Sequence, residues 1–380
     1  MKKILCLLLI LPLLGGGRAH ALETLRGGDI PIDAPSAILM ERETGTVLYE
    51  KDADRRMAPA SVTKVMTMLL IVEALDEGRL KPEEIVTASK RAASFGGSCV
   101  YLEEGEKMSV DEMLKCIAVV SANDCAVAMA EHLCGTEARF VQRMNERAGE
   151  LGMVNTNFTN CTGLFDDDAH YTTARDIALM SCRLLAHERI KAYSTIWTDS
   201  IRGGDFELAN TNRLLQTLDG CTGLKTGFTN TAMYCLAASA ERDGVEYVAV
   251  VLHEQSSEKR NADAAALLNY AFANYRLCPL IPAEALPELT VDLGRQARLP
   301  LRLAGPACAV TERSAPEPEY RLVLPEGVAA PVSEGEELGK LLVTLDGELL
   351  AEIPVAAAES VDRLGYFGLL LRLAGSMVGL

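Results

Sequence analysis

The sequence predicts an α/β domain, a small all-β domain after it and a C-terminal amphipathic helix. Three patterns carry that expectation. Residues 62–75 place apolar Val65, Met66, Leu69, Leu70 and Val72 at helical spacing. Residues 235–240 and 245–253 are strand-like apolar runs on either side of the turn Arg242-Asp243-Gly244. From residue 289 to about residue 356, short apolar alternations are separated by Gly and Pro. Among them are Leu322-Val323-Leu324 and Leu341-Leu342-Val343-Thr344-Leu345, the latter followed by the turn Asp346-Gly347 and Leu349-Leu350.

The elements follow in order. Met1-Lys2-Lys3 and the apolar residues 4–14 read as a signal peptide, with Ala19-His20-Ala21 as a small-x-small cleavage site. The apolar run is too short for a membrane span and ends in Gly15-Gly16-Gly17-Arg18. The mature, exported chain is expected to begin near Leu22 with a mixed leader over residues 22–33. Strands and helices then run to residue 276, and residues 277–287 form a Pro-rich junction. Residues 359–380 are helical by period, with Leu364, Phe367, Leu371, Ala374 and Val378 in one stripe. Gly365, Gly368, Arg372, Ser376 and Gly379 fall on a neighbouring face. Arg372 interrupts the apolar run, so it does not read as a clean span. The expected division is residues 1–21 (signal), 22–276 (main domain), 277–357 (β-rich domain) and 358–380 (terminal helix).

Charge and cysteine content narrow the class. The chain has 380 residues and a formal net charge of −16 with no basic run. That argues against nucleic acid as a partner and against strong electrostatic binding to anionic lipid. Of eleven cysteines, Cys6 leaves with the signal and ten remain. Cys116, Cys125, Cys182 and Cys235 fall in expected helices and strands and read as small core residues, so mostly free thiols are expected. Cys125 lies two positions after Asn123, where it could meet another thiol. Neither a metal nor a cofactor is expected, because there is no C-x-x-C pair and only five histidines.

Three short motifs carry chemistry: Ser61-Val62-Thr63-Lys64, Ser121-Ala122-Asn123 and Lys225-Thr226-Gly227. Each alone is common, and a helix cap, a loop residue or a strand entry would account for it. Their order and surroundings point further. The first opens an apolar helical stretch, the second follows one, and the third precedes a strand-like run. A serine hydroxyl is a weak nucleophile and needs a base within hydrogen-bond reach. Three residues on, Lys64 shares a helix face with Ser61. To act as base its pKa must fall, through burial or a neighbouring cation, and Lys225 is a candidate for that neighbour. Ser61 at a helix start would also offer backbone N–H groups to a developing oxyanion.

With these motifs the chain resembles the D-alanyl-D-alanine carboxypeptidases, the low-molecular-weight penicillin-binding proteins. The resemblance extends to Ala34-Pro35-Ser36-Ala37-Ile38-Leu39 and Gly45-Thr46-Val47-Leu48-Tyr49-Glu50, and to the approach Arg56-Met57-Ala58-Pro59-Ala60. It continues through Asn157-Phe158-Thr159-Asn160, Gly163-Leu164 and His170-Tyr171-Thr172-Thr173-Ala174-Arg175-Asp176. Asn210-Thr211-Asn212-Arg213 and Gly223-Leu224-Lys225-Thr226-Gly227-Phe228-Thr229 complete it. It covers residues 30–275, and the rest more loosely.

The resemblance implies a β-lactamase/transpeptidase-like fold, an antiparallel sheet flanked by helices. It also implies removal of the terminal D-alanine of peptidoglycan stem peptides through an acyl-serine intermediate, inhibited by β-lactams. Ser61 is then the nucleophile, Lys64 its base and Ser121 a proton relay. Asn123 would hold the substrate backbone, and Lys225 and Thr226 the terminal carboxylate. Gly227 would let the edge strand lie close to substrate. The N–H groups of Ser61 and Phe228 would form the oxyanion hole; Phe228 replaces a polar side chain found there in some members. Arg260, expected just before a helix over residues 262–275, is a second carboxylate contact or a surface arginine. Family members often end in an interfacial helix, which would place the protein at the outer face of the cytoplasmic membrane. The alternatives are a D,D-endopeptidase, disfavoured by the C-terminal domain, and a class A β-lactamase, disfavoured by the lack of a clear E-x-x-x-N loop. A non-catalytic wall-binding protein is disfavoured by the intact motif residues.

Overall fold

The computed structural model describes residues 30–165, 167–368 and 370. The expected signal peptide, residues 1–21, and the tail positions Leu371, Ala374 and Val378 lie outside them. Among the described residues the chain falls into two compact units, one ending at Arg276 and the other beginning at Leu277.

In the first unit, strands β1 (Ser36–Glu41), β2 (Val47–Lys51), β3 (Cys221–Thr229), β4 (Met233–Arg242) and β5 (Val245–Glu254) form one sheet. It is antiparallel, in the order β2-β1-β5-β4-β3. The β4–β5 hairpin closes at Asp243 and Gly244, with φ of 52° and 78°. Two left-handed residues make the primed turn whose twist matches the flanking strands. Both strands outrun their apolar cores, because ladder pairing continues to Arg242↔Val245 and Tyr234↔Glu254.

Both faces of the sheet are covered. Ile38, Met40, Val248, Val250 and Leu252 point into the large core. Tyr247, of opposite parity, sets its ring 4.9 Å from Phe272 of the helix α6 (Ser257–Asn274). A strand buried on both sides reads as a continuous apolar run, as residues 245–253 do.

The helices of the large core are α1 (Lys64–Asp76), α2 (Val110–Val119), α3 (Asn123–Cys134), α4 (Glu137–Glu150) and α5 (Ala174–Leu185). Helix α1 is its axis: every residue from Lys64 to Leu75 is buried. Such a helix is apolar all round, with Lys64 and Glu73 as its charged exceptions. Glu73 receives Arg147 of α4 at 2.6 Å and Arg183 of α5 at 3.5 Å. Caps define the other starts. Ser109 and Glu112 form a reciprocal capping box on α2, and Thr136, Thr173 and Ser256 accept from the first turns of α4, α5 and α6.

Three sequence expectations need correction. The helix expected over 62–75 is a 3-10 turn, Ala60–Thr63, that becomes α-helical at Lys64. The helix expected over 262–275 starts at Ser257, where Ser256 caps it, so Arg260 lies inside its first turn; Tyr275 is already extended. Residues 359–365 are not helical. Val361 bridges Val332, Arg363 bridges Gly294, and Val361 is fully buried. Apolar packing against the β-domain outweighs a helical period weakened by glycine. Among the described residues of the tail, helix appears at residues 366–368 and 370, where Tyr366 and Phe367 are exposed.

Apart from that helical turn, the described residues of the second unit are built of β-strands. A four-stranded sheet runs Leu301–Leu303, Glu348–Ala357, Glu337–Leu345, Glu319–Val323. A three-stranded sheet runs Arg298–Leu299, Leu289–Asp292, Gly327–Ala329. The turn Asp346-Gly347, with φ of 51° and 80°, is again primed. Leu341, Val343, Ile353 and Val355 form one small core, and Val291, Leu299, Val332 and Val361 another.

Cys99, Cys116, Cys125, Cys134, Cys161, Cys182, Cys221 and Cys235 are free thiols. Cys116, Cys125 and Cys235 are fully buried, whereas Cys182 is only half-buried, its sulfur 3.7 Å from that of Met40. Cys125 packs beside Cys116, and burial raises its thiol pKa well above the ordinary value.

Because α1 is packed on every side, Leu69→Ala is expected to destabilise the protein by about 2–5 kcal/mol. Urea unfolding of the two proteins measures this directly, and a loss below about 1 kcal/mol would mean that α1 is not the axis of the core.

Candidate active site

The turn that carries Ser61 is held in an unusual backbone state. Ala60 has φ of 48°, a left-handed conformation that costs a residue with a Cβ of order 1 kcal/mol or more. Thr63 Oγ1 donates to the Ala60 carbonyl at 2.8 Å. One turn on, Lys64 Nζ donates to Ser61 Oγ at 3.0 Å and to the Thr162 carbonyl at 2.8 Å. The i,i+3 geometry is the one expected from the motif spacing.

Lys64 is 0% exposed. Burial pushes its ammonium down to about 7, against the thiols of Cys161 and Cys99 and the Asp124 carboxylate, which pull it up. Of the two causes the sequence left open, burial and a neighbouring cation such as Lys225, desolvation is the one at work. Lys225 is itself held well below its usual value, by burial first and then by the charges of Lys64 and Arg260. Its Nζ donates to the Thr226 carbonyl at 2.9 Å.

Two glycines let neighbouring chain close on the Ser61 turn. A Cβ on Gly227 would lie 2.9 Å from the Pro59 carbonyl and 3.1 Å from Ser61 N. The sequence suggested that Gly227 lets the strand approach substrate; the glycine lets β3 approach the Ser61 turn itself. Gly163, with φ of 71°, would set a Cβ 1.8 Å from the Ala60 carbonyl oxygen. The turn is clamped between β3 and the loop at residues 160–163.

The second motif is buried and partly unpaired. Ser121 has φ of 64°, and its Oγ has no hydrogen-bond partner among the described residues. Asn123 Nδ2 donates to the Gly96 carbonyl at 2.8 Å, while its Oδ1 is buried without a partner. Buried polar atoms are normally satisfied, so these two are free to meet a bound molecule. In the third motif β3 is an edge strand of the sheet. Thr226 Oγ1 meets Thr211 Oγ1 at 2.6 Å, and Thr211 N donates to the Val119 carbonyl at 3.2 Å, which links the third motif to the second. Phe228 is 49% exposed and lies 4.5 Å from the Tyr234 ring. Arg260 is buried, not a surface residue, with its guanidinium 5.9 Å from the centre of the Tyr234 ring.

Comparison with known proteins decides what this arrangement belongs to. The family model described as D-alanyl-D-alanine carboxypeptidase matches residues 24–256, and that of the penicillin-binding protein 5 C-terminal domain matches residues 288–363. The D-alanyl-D-alanine carboxypeptidase DacF of Bacillus subtilis (strain 168) is 42% identical over 92% of this chain and 91% of its own. The chain belongs to the D-alanyl-D-alanine carboxypeptidase family. Penicillin-binding protein 5 from Haemophilus influenzae has a similar structure, with a TM-score of 0.78 at 28% identity over 88% of this chain and 99% of that one. The carboxypeptidase DacD from Francisella tularensis gives 0.70 at 31% identity over 90% and 96%.

Several residues that build this carboxypeptidase site escaped the motif reading. Thr162 offers a backbone carbonyl, so its side chain gives no signal. Asn160 Oδ1 accepts from Thr162 N at 3.1 Å and Gly163 N at 2.6 Å and shapes that loop. Asp124 accepts from Val100 N and Leu102 N at 3.1 and 3.0 Å and pins the segment that reaches Asn123. Thr211 stands in a quoted family stretch, yet nothing local tells its hydroxyl from that of a turn residue.

The clamp gives a direct test. Gly227→Ala should shift the Ser61 turn and cut the second-order rate of β-lactam acylation about 10²-fold, the scale of a misplacement of roughly 1 Å. An unchanged acylation rate in that variant would remove Gly227 from the clamp.

Proposed function

We propose that this protein is an exported serine D,D-carboxypeptidase that removes the terminal D-alanine of peptidoglycan stem peptides. The observation that carries the reading is the Ser61–Lys64 pair: a fully buried lysine, pushed to about 7, 3.0 Å from a serine hydroxyl. Family membership and the relatives' names point the same way.

The proposed roles follow from the geometry. Neutral Lys64 accepts the Ser61 proton as Oγ attacks the carbonyl carbon of the penultimate residue. The N–H groups of Ser61 and Phe228 hold the oxyanion, worth about 3–4 kcal/mol per donor in comparable sites. Ser121 Oγ, unpaired in the free protein, passes a proton to the leaving D-alanine nitrogen as the C–N bond breaks. Asn123 holds the substrate backbone through its unpaired Oδ1. Water then cleaves the acyl-serine ester, giving the shortened peptide acid and restoring Ser61. A β-lactam follows the same path to the acyl-enzyme.

Carboxylate selection rests on Lys225, Thr226 and Arg260. In the free protein Lys225 is buried beside other cations and is held low. An incoming carboxylate supplies the missing opposite charge, so binding and protonation of Lys225 reinforce each other. Thr226, oriented by Thr211, adds a hydroxyl, and Gly227 keeps β3 against the nucleophile.

The organisation completes the reading. Residues 1–21 direct export, 22–276 are the catalytic domain, the β-rich domain begins at 277 and includes the paired Val361 and Arg363, and the residues after 365 attach to the outer face of the cytoplasmic membrane. Exposed Tyr366 and Phe367 support the last point. No helix among the described residues is long and apolar enough to cross a membrane. Attachment would therefore be interfacial.

Ser61→Ala is expected to abolish both fluorescent-penicillin labelling and release of D-alanine from a stem-peptide mimic. In the unmodified protein the acylation rate should rise with pH through about 7 and level off above it, because only the neutral amine accepts the proton. Covalent penicillin on Ser61→Ala, or a rate independent of pH from 5 to 9, would defeat the assignment. For the tail, the full-length mature protein should fractionate with membranes, and a chain ending at Leu364, which keeps Val361 and Arg363 paired with the β-domain, should be soluble with full activity on a small peptide. Full-length protein that is soluble without detergent rules out the attachment.

A further inference from the structure

His170 lies outside the three motifs, 3% exposed, and its ring nitrogens are fully engaged. Thr159 N donates to Nδ1 at 3.0 Å, and Asn160 Nδ2 approaches the same nitrogen at 3.4 Å. A backbone N–H can only donate, so Nδ1 is the acceptor and the proton sits on Nε2. Nε2 meets Thr63 Oγ1 at 2.8 Å and therefore donates to it. That leaves the Thr63 hydroxyl proton for the Ala60 carbonyl at 2.8 Å. The direction of the chain is thereby fixed: Thr159 N–H to His170, His170 to Thr63, Thr63 to the carbonyl of the left-handed residue before the nucleophile.

We propose that His170 is a positioning residue for acylation, coupling the Lys64-holding loop to the Ser61 turn through Thr63. Its two ends serve the two halves of the reacting pair. At Nδ1 it anchors Thr159 and Asn160, and Asn160 shapes the loop whose Thr162 carbonyl accepts from Lys64 Nζ. At Nε2 it orients Thr63, which restrains Ala60 and with it the φ of the residue preceding Ser61. Loss of the imidazole frees both ends, so Lys64 and Ser61 drift apart and water reaches the amine.

A protonated imidazole cannot accept from Thr159 N–H. Burial holds its pKa down to about 4, with the Asp167 carboxylate opposing, so the relay is intact across the neutral range. The imidazole thus acts as a fixed connector at the pH where Lys64 titrates, and does not itself move a proton to substrate.

The proposal rests on Ser61 and Lys64 as nucleophile and base. Penicillin labelling of Ser61→Ala tests that reading alone, so the two can fail separately. The measurement is the second-order rate of β-lactam acylation across pH in four variants. In His170→Gln the side-chain amide reaches where Nε2 lies and can donate to Thr63, while the acceptor at Nδ1 is lost; with the Thr63 end kept, the rate should fall by no more than about threefold. In His170→Asn that reach is lost and the rate should fall about tenfold or more. Its rise should also move to higher pH, because a less desolvated Lys64 binds its proton more tightly. Thr63→Val should fall by a similar factor, and the double variant His170→Asn/Thr63→Val should fall no further than either single one, since both cut one chain. Wild-type rates in His170→Asn, or losses that multiply in the double variant, would overturn the proposal. Should His170→Asn fail to fold, Thr63→Val decides alone, and a wild-type rate there overturns it equally.

Discussion

Desolvation of one ammonium group governs this site. A lysine amine in water is protonated at neutral pH and cannot take a proton from serine. Lys64 is placed on the most enclosed helix of the molecule, where water cannot stabilise its charge. Among the described residues its oxygen acceptors are Ser61 Oγ and the Thr162 carbonyl. Packing that would elsewhere serve only stability here sets the protonation state of Lys64, the proposed base. The core and the chemistry are one structure at this point.

Holding a charge-bearing group in an apolar core is costly, and the surroundings reflect it. The nucleophile turn takes a left-handed alanine at position 60, and glycines at 163 and 227 let chain press on it from two sides. Any Cβ at those glycines would displace the Ser61 turn by a distance that matters for attack. Ser121 and Asn123, by contrast, keep unpaired polar atoms in buried positions. Such atoms weaken the free protein, and in the proposed function a substrate supplies the missing partner. Lys225 follows the same logic in charge: burial and neighbouring cations disfavour it as a cation, and the proposed substrate carboxylate would offset that.

The site was legible where its parts are local. Ser61 and Lys64 are one helical turn apart, and their juxtaposition follows from the period of a helix alone. The primed turns at Asp243-Gly244 and Asp346-Gly347 are likewise local, because the residues between two strands determine how the chain reverses. The parts that were missed are long-range. Thr162 meets Lys64 across 98 positions and His170 meets Thr63 across 107. The first acts through a backbone carbonyl, which leaves no mark on side-chain identity. Gly227 was recognised, yet the surface it approaches is the Pro59–Ser61 turn, far away in sequence. The tail shows the opposite failure: a helical period over 359–365 lost to a strand-like pairing of Val361 with Val332.

By itself the sequence determined the α/β class, the β-rich second domain, the three motifs and the two tight hairpins. These depend on neighbours a few residues apart and on composition, both of which a sequence carries openly. Only the tertiary structure decided that Lys64 is lowered by burial rather than by Lys225, and that Arg260 is a buried member of the third-motif cluster rather than a surface cap. A pKa in a protein depends on the solvent excluded from a point in space and on the charges around it. Those neighbours come from α1, the 160–163 loop and β3, and no spacing along the chain foretells their convergence.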